Sequence, residues 1–223
     1  MPYFTSDHAK IYFEEVGSGE PIIAVAGLIE NTAYWHLPGV AERLARHYRF
    51  ISMDMRGHGY TAVEGSAPGF DAETVGRDIT ALADHLGIGR FHLLTHSTGG
   101  FAAVRHAMTD CGRFASLILT NTGSFTSPVP GSRREIDDFH EKFARSFEKY
   151  DWDTMFANLR QNPGPFFRGI VESENREEMM QTALEMAKRN DRHVVARCVR
   201  SFYKVPDPRV ERLRGITCPG PVV

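Results

Sequence analysis

The spacing of apolar residues changes along the chain, and each change marks an element. "KIYFEEVG" (10–17) alternates as a strand does, and "GSGEP" after it reads as a hairpin turn. "PIIAVAG" (21–27) is continuously apolar, the pattern of a strand covered on both faces. "NTAYWHLPGVAERLARHY" looks helical in its second half, and "RFISMDM" (49–55) is the next buried strand. In "GFDAETVGRDITALADHLG", Val75, Ile79, Leu82 and Leu86 share one helical face, and Gly87 supplies the stop. "RFHLLTH" (90–96) predicts a strand, "TGGFAAVRHAMTD" a helix with small residues toward a sheet, and "FASLILTN" a further buried strand. Alternating strands and helices with burial on two sides predict an α/β architecture, a mostly parallel doubly wound sheet.

The pattern shifts after about Asn121. "TGSFTSPVPGS" is rich in turn formers, and residues 133–204 are charged, aromatic and helical in character. Phe139, Phe143, Phe147, Trp152, Phe156, Phe166 and Phe167 crowd this stretch, which reads as a helical insertion over the sheet. "DPRVERLRGITCPGPVV" then returns to strand character. The expected division is a core at 1–125, a helical lid at 126–206 and the start of a return to the core at 207–223.

Composition narrows the function without naming it. Of 223 residues, 42% are hydrophobic and 24% charged, which is ordinary for a globular domain. A net charge of −2 gives no basic field for a phosphate backbone, so nucleic acid is not an expected partner. The N-terminus lacks a basic stretch followed by an apolar core, and "PIIAVAGLI" is too short to span a bilayer, so no membrane is expected. Cys111, Cys198 and Cys218 are odd in number and widely spaced, reading as reduced thiols and a cytoplasmic protein. With no HExxH, no CxxC pair, no EF-hand loop and no P-loop or dinucleotide fingerprint, neither metal nor cofactor is expected. The carboxylates at Asp137-Asp138 and Glu177-Glu178 read as solvated faces.

The chemistry gathers in "FHLLTHSTGG" (91–100). A strand that runs straight into a helix needs a tight corner, its apex residue strained and its flanks small. Gly99 meets that need on one side, and Thr95 stands on the other. Such a corner lifts the Ser97 hydroxyl off the sheet and aims the positive end of the next helix, beginning at Thr98, toward it. A serine between Thr and Gly elsewhere is a turn or cap residue. Here the apolar strand before it and the small-residue helix after it point to a nucleophile.

"THSTGG" resembles the nucleophile elbow of the α/β-hydrolase superfamily, with Thr95 where the first glycine is usual. "AVAGLIENTAYW" resembles the loop after that family's third strand, "DMRGHGYT" its Asp-x-Arg-Gly-x-Gly-x-Ser/Thr turn, and "LRGITCPGPVV" the approach to its seventh strand. The resemblance runs over essentially the whole chain. It implies that the backbone N–H groups of Leu28 and Thr98 form an oxyanion hole around a Ser97 nucleophile, without a cofactor. Asp54, Arg56 and His58 read as structural, Asp54 bracing the turn and Arg56 pairing with a carboxylate. His96 is expected to point away from the serine as a packed or hydrogen-bonded residue, and with Trp35 and Trp152 it stays a candidate for substrate binding. His36 is a weaker pocket candidate, and the aromatic stripe from Phe139 reads first as helix packing.

A serine needs a base, and the base an orienting acid; the family's chain order is Ser, acid, His. After strand six this sequence reads "LILTNTGSF", with Asn121 and no carboxylate, and His106, His140 and His193 follow no strand end near the corner. The remaining strands and helices would need about 50 further residues. The expectation is a truncated serine hydrolase of a small ester, lactone or related acyl substrate, its C-terminal strands missing. The alternative is a non-catalytic protein that binds a small ligand on the same fold. A bare edge on "FASLILTN" would also favour self-association.

Overall fold

Period-two burial explains the layers. In the computed structural model, which describes residues 2–63, 69–122, 132–202 and 210–220, neighbouring strand residues pack into different clusters. Ile23, Val25, Ile51, Met53 and Leu93 face one side, while Ile22, Ala24, Phe50 and Leu94 face the other. Both sides are apolar because both are covered, as the continuous runs require.

The strands are β1 (Tyr3–Ser6), β2 (Ala9–Gly17), β3 (Glu20–Val25), β4 (Tyr48–Met53), β5 (Ala62–Val63), β6 (Phe91–His96) and β7 (Phe114–Thr120). They form a sheet ordered β1-β2-β4-β3-β6-β7, with β5 beside β2. The pairs β4–β3, β3–β6 and β6–β7 are parallel; β1–β2, β2–β4 and β2–β5 are antiparallel. Helices α3 (Ala72–His85) and α4 (Thr98–Ala107) cover the face of Ile23 and Val25. The short α1 (Ala33–His36) and α2 (Val40–Leu44) cover the other, carrying Trp35 and Ala41 onto Phe50.

The doubly wound, mostly parallel sheet matches the expectation, with local corrections. "GSGEP" is not a hairpin, because β4 lies between β2 and β3 and Gly17 pairs with Arg49 while Glu20 pairs with Tyr48. The turn must step over a strand, and Gly17 and Gly19 supply φ of 79° and 113° for it. Strands β1 and β5 were not foreseen. The β1–β2 hairpin turns on Asp7 and His8, at φ 36° and 63°, residue types that signal such a turn less strongly than Asn-Gly.

Beyond β7 come α5 (Arg133–Lys149), α6 (Trp152–Gln161), α7 (Gly164–Val171), α8 (Arg176–Ala187) and α9 (Arg192–Phe202). A capping box of Ser132 and Glu135 starts α5, and the Asp151 carboxylate accepts from Thr154 N at 2.7 Å to start α6. Ala144, Phe147, Trp152, Phe156, Met180, Val195 and Val199 form the block's own core, and Leu28 and Ile29 of the sheet domain pack against it. The aromatic stripe is therefore helix packing along much of its length, with Phe143 and Phe147 centroids 5.0 Å apart. Phe139 at its end is exposed. The expected boundaries at 126 and 206, and the Phe166 side chain, fall outside the described residues.

The edge of β7 is not bare throughout. After α10 (Val210–Leu213), the segment to Gly220 runs beside it, and Leu117 N–H donates to Pro219 O at 2.8 Å.

Candidate active site

Ser97 sits at φ 47°, ψ −116°, between the last residue of β6 and the first of α4. A non-glycine residue there carries strain of order 1–3 kcal/mol. Leu93 and Leu94, buried on opposite faces just before it, each contribute about 1.5–3 kcal/mol, so the packing of β6 outweighs the strain. Ser97 N–H donates to Thr120 O at 3.0 Å, which ties the corner to β7. Thr95, fully buried, donates from Oγ1 to Ile118 O at 3.3 Å and accepts from Thr120 Oγ1 on its own carbonyl at 2.8 Å. That is how a threonine fits where the family pattern has glycine. Gly99 has no such latitude: a Cβ there would lie 2.6 Å from both Val25 O and Ala26 O.

The loop after β3 closes over this corner. A Cβ on Gly27 would meet Ser97 Cβ at 3.0 Å, so the Gly27 backbone lies directly against the serine. Among the described residues, neither Ser97 Oγ nor Leu28 N–H has a hydrogen-bond partner. Thr98 is buried at the N-terminal end of α4, where the helix dipole favours negative charge. The Ser97 corner, the Gly27 backbone and the start of α4 thus lie together.

Polar side chains fix the loop. Glu30 Oε2 accepts from Gly27 N–H at 2.5 Å and lies 2.8 Å from His96 Nδ1. The His96 ring stacks on Tyr34 with centroids 4.6 Å apart, and its Nε2 is 3.4 Å from Asn121 Nδ2. Both ring nitrogens are engaged, so His96 joins the elbow to the loop as a hydrogen-bonded residue. Ile29, a β-branched residue at φ 62°, is held by Asn190 Nδ2 donating to its carbonyl at 2.6 Å. Buried Asn190 also accepts from Gly59 N–H at 2.7 Å, and its backbone carbonyl accepts from Trp152 Nε1 at 3.1 Å. One side chain of the helical block therefore clasps two loops of the sheet domain.

The "DMRGHGYT" turn braces the same region. Asp54 accepts from Thr32 N–H at 2.7 Å and Tyr60 N–H at 2.8 Å, linking the turn to the loop after β3. Burial pushes its carboxyl up to about 7, against those two amides, which favour the ionised form. Arg56 makes a bidentate pair with Asp78 (2.7 and 2.9 Å), both side chains buried. His58 is buried with Nδ1 3.0 Å from Arg56 O, and burial drives its pKa down to about 4. His58 lines a cavity of about 10 Å3 with Leu28, Thr98, Met55, Phe70 and Cys198.

The two tryptophans are buried. Trp35 is 4% exposed and packs on Phe50 and Tyr34; Trp152 is 7% exposed and packs on Phe147. Both rings pack in the core, and among the described residues Trp35 Nε1 is buried without a hydrogen-bond partner. His36 contacts Glu14 and Glu42, each at 3.0 Å, across β2 and α2. Sequence reasoning missed Glu30, Tyr34 and Asn190, and it passed over Asn121 for lacking a carboxylate. Glu30 and Tyr34 stand inside a recognised motif, but nothing in linear spacing marks Asn190, which acts on Ile29 from far along the chain.

Residues 20–198 match the family model of the α/β hydrolase fold, and the chain belongs to that family. It is 35% identical over 121 residues to a non-heme haloperoxidase of Rhodococcus erythropolis, covering 53% of this chain and 43% of that protein. It is 29% identical over 188 residues to the AB hydrolase superfamily protein YisY of Bacillus subtilis (strain 168), covering 81% of this chain and 66% of that one. The chain thus spans less than two thirds of either relative. A solved hydrolase from Pseudomonas aeruginosa PA01 superposes with a TM-score of 0.78 at 23% identity, over 99% of this chain and 78% of that structure. No helix among the described residues is long and apolar enough to cross a membrane.

Proposed function

We propose that Ser97 is the nucleophile of a hydrolase acting on a small ester, lactone or related acyl substrate. The observation that carries this reading is the strained Ser97 corner, its Oγ without a partner among the described residues and set against Gly27, beside an equally unpartnered Leu28 N–H. Ser97 Oγ attacks the substrate carbonyl carbon, and the carbonyl oxygen takes the negative charge between the Leu28 and Thr98 amides. Collapse expels the alcohol and leaves an acyl-serine, which water then cleaves to release the acid. The Ser97 proton must go to a general base. His58 does not suit that role, being buried and neutral, and His96 is already engaged by Glu30. Among the described residues no histidine hydrogen-bonds Ser97 Oγ. The helical block α5–α9 acts as the lid in this reading, since Leu28 and Ile29 pack beneath it. A reducing compartment such as the cytosol suits three free cysteines.

A second reading, a protein that binds a small ligand without turnover, draws support from the same unpartnered Ser97 hydroxyl. One experiment separates the two. The natural gene product containing these residues is treated with a fluorophosphonate probe and assayed on short-chain p-nitrophenyl esters. Labelling and turnover that both vanish in Ser97→Ala support the hydrolase. Saturable ligand binding with neither labelling nor turnover supports the binder and ends the hydrolase proposal.

A further inference from the structure

Two of the three cysteines meet far from Ser97 in the chain's topology. Cys111 lies in the loop between α4 and β7. Cys218 lies in the segment after α10, between Thr217, which contacts Cys111, and Pro219, which accepts from β7. Cys111 Sγ is 3.6 Å from Thr217 Oγ1 and 3.9 Å from Gly215 O. Pro219 O accepts from Leu117 N–H at 2.8 Å. These contacts set the backbone on either side of Cys218 against the Cys111 loop and β7, and both cysteines are partly exposed and pack on the same apolar cluster.

We propose that Cys111 and Cys218 form a reversible disulfide that staples residues 214–220 to the loop ahead of β7. The two sulfurs are not equivalent, which sets the order of events. Hydrogen bonds from Thr217, and then from Cys218, hold the Cys111 thiol below its ordinary range. Burial, and then the neighbouring Cys111, push Cys218 above it. Cys111 is therefore the attacking thiolate and Cys218 the resolving thiol. With a small-molecule disulfide such as glutathione disulfide as oxidant, the Cys111 thiolate attacks one glutathione sulfur and releases the other glutathione as thiolate. Cys218 gives its proton to solvent and attacks the Cys111 sulfur of the mixed disulfide, releasing the second glutathione. Two protein thiols are oxidised and one glutathione disulfide is reduced to two thiols.

Cys198 stands apart from this chemistry. It is 4% exposed, burial pushes its thiol up to about 12, and it donates to Arg56 O at 3.4 Å. The proposed bond joins positions 111 and 218, so the loop it closes contains β7 and all of α5–α9. Long loops are where cross-linking removes the most freedom from the unfolded chain. Oxidation would then fasten the last described segment to the β7 edge.

The test uses the folded natural gene product containing these residues, in glutathione buffers of increasing oxidised fraction. Free thiols are trapped with N-ethylmaleimide and peptides are mapped without reduction. The expected result is a linked Cys111–Cys218 peptide that grows with oxidised glutathione and disappears on adding dithiothreitol, while Cys198 is alkylated only after denaturation. Cys218→Ser should stop at a stable Cys111–glutathione adduct. Separate adducts on Cys111 and Cys218 in the wild-type chain, or links to Cys198 in equal yield, would overturn the proposal.

Discussion

The two backbone segments that meet at Ser97 are held in place by different physics. The corner after β6 is fixed locally and by shape: Gly99 packs against Val25 and Ala26 carbonyls, and β7 hydrogen-bonds both Ser97 N–H and Thr95 Oγ1. The loop after β3 is fixed remotely and by polarity. Glu30, Asp54 and Asn190 hold Gly27, Thr32 and Ile29. Each segment bears a non-glycine residue at positive φ, Ser97 in one and Ile29 in the other. Strain at one is contained by close packing, and at the other by a buried amide from the helical block. The first should therefore fail through added volume, and the second through lost hydrogen bonds.

The largest effect is expected at Gly99. Overpacking costs typically about 1–3 kcal/mol, and Gly99→Val faces rigid backbone rather than a side chain able to yield, so we expect about 3 kcal/mol or more, read by urea unfolding. A loss under about 1 kcal/mol would remove the steric account of the corner. Asn190→Ala follows. It leaves the partly buried Ile29 O and Gly59 N–H without their partner, and partial burial puts each at about 1–2 kcal/mol, the lower part of the usual range, so a loss of about 2–4 kcal/mol is expected. Asn190→Asp, which keeps the acceptor for Gly59 but sets a buried carboxylate oxygen against the Ile29 carbonyl, should cost at least as much as alanine at neutral pH.

The third test is a pH comparison. His58 has a folded pKa near 4 against an ordinary value of 6.5, so folding favours its neutral form. Its contribution is complete above 6.5 and is lost as pH falls from 6.5 toward 4. Asp54 has the opposite sign: with its folded pKa raised from 3.8 to about 7, its contribution is greatest below 3.8 and is lost as pH rises through 7. Wild type measured against His58→Gln cancels the Asp54 background. The stability difference should move toward the variant by up to about 3 kcal/mol across that acid range. A pH-independent difference would show that His58 is not buried neutral. The smallest effect is expected for Glu30→Gln, which keeps one acceptor but loses the charge; a cost of about 1 kcal/mol should come with slower fluorophosphonate labelling of Ser97.

The sheet was legible because its strands obey simple rules. Continuous apolar runs at 21–27 and 49–55 became two-faced strands, and Val75, Ile79 and Leu82 became the buried face of α3. The pairing of strands was not legible in "GSGEP", since a Gly-rich turn has the same chemistry whether it joins neighbours or steps over a strand. At the site, the elbow can be read from THSTGG because its constraint lies within a few residues. The clasp of Asn190 on Ile29 depends on how the helical block docks, which no local pattern encodes. The packing of Trp35 on Phe50 and of Trp152 on Phe147 was not legible for a related reason: sequence position does not say which way a ring faces.

The account rests most on the oxygen of Ser97 standing beside the amides of Leu28 and Thr98. A crystal structure of the protein bound to an alkylboronic acid tests this directly. The boronate should be bonded to Ser97 Oγ, with one of its oxygens within about 3 Å of both amide nitrogens. A boronate bound elsewhere, or a Leu28 N–H directed at a protein acceptor with Ser97 at negative φ, would contradict it.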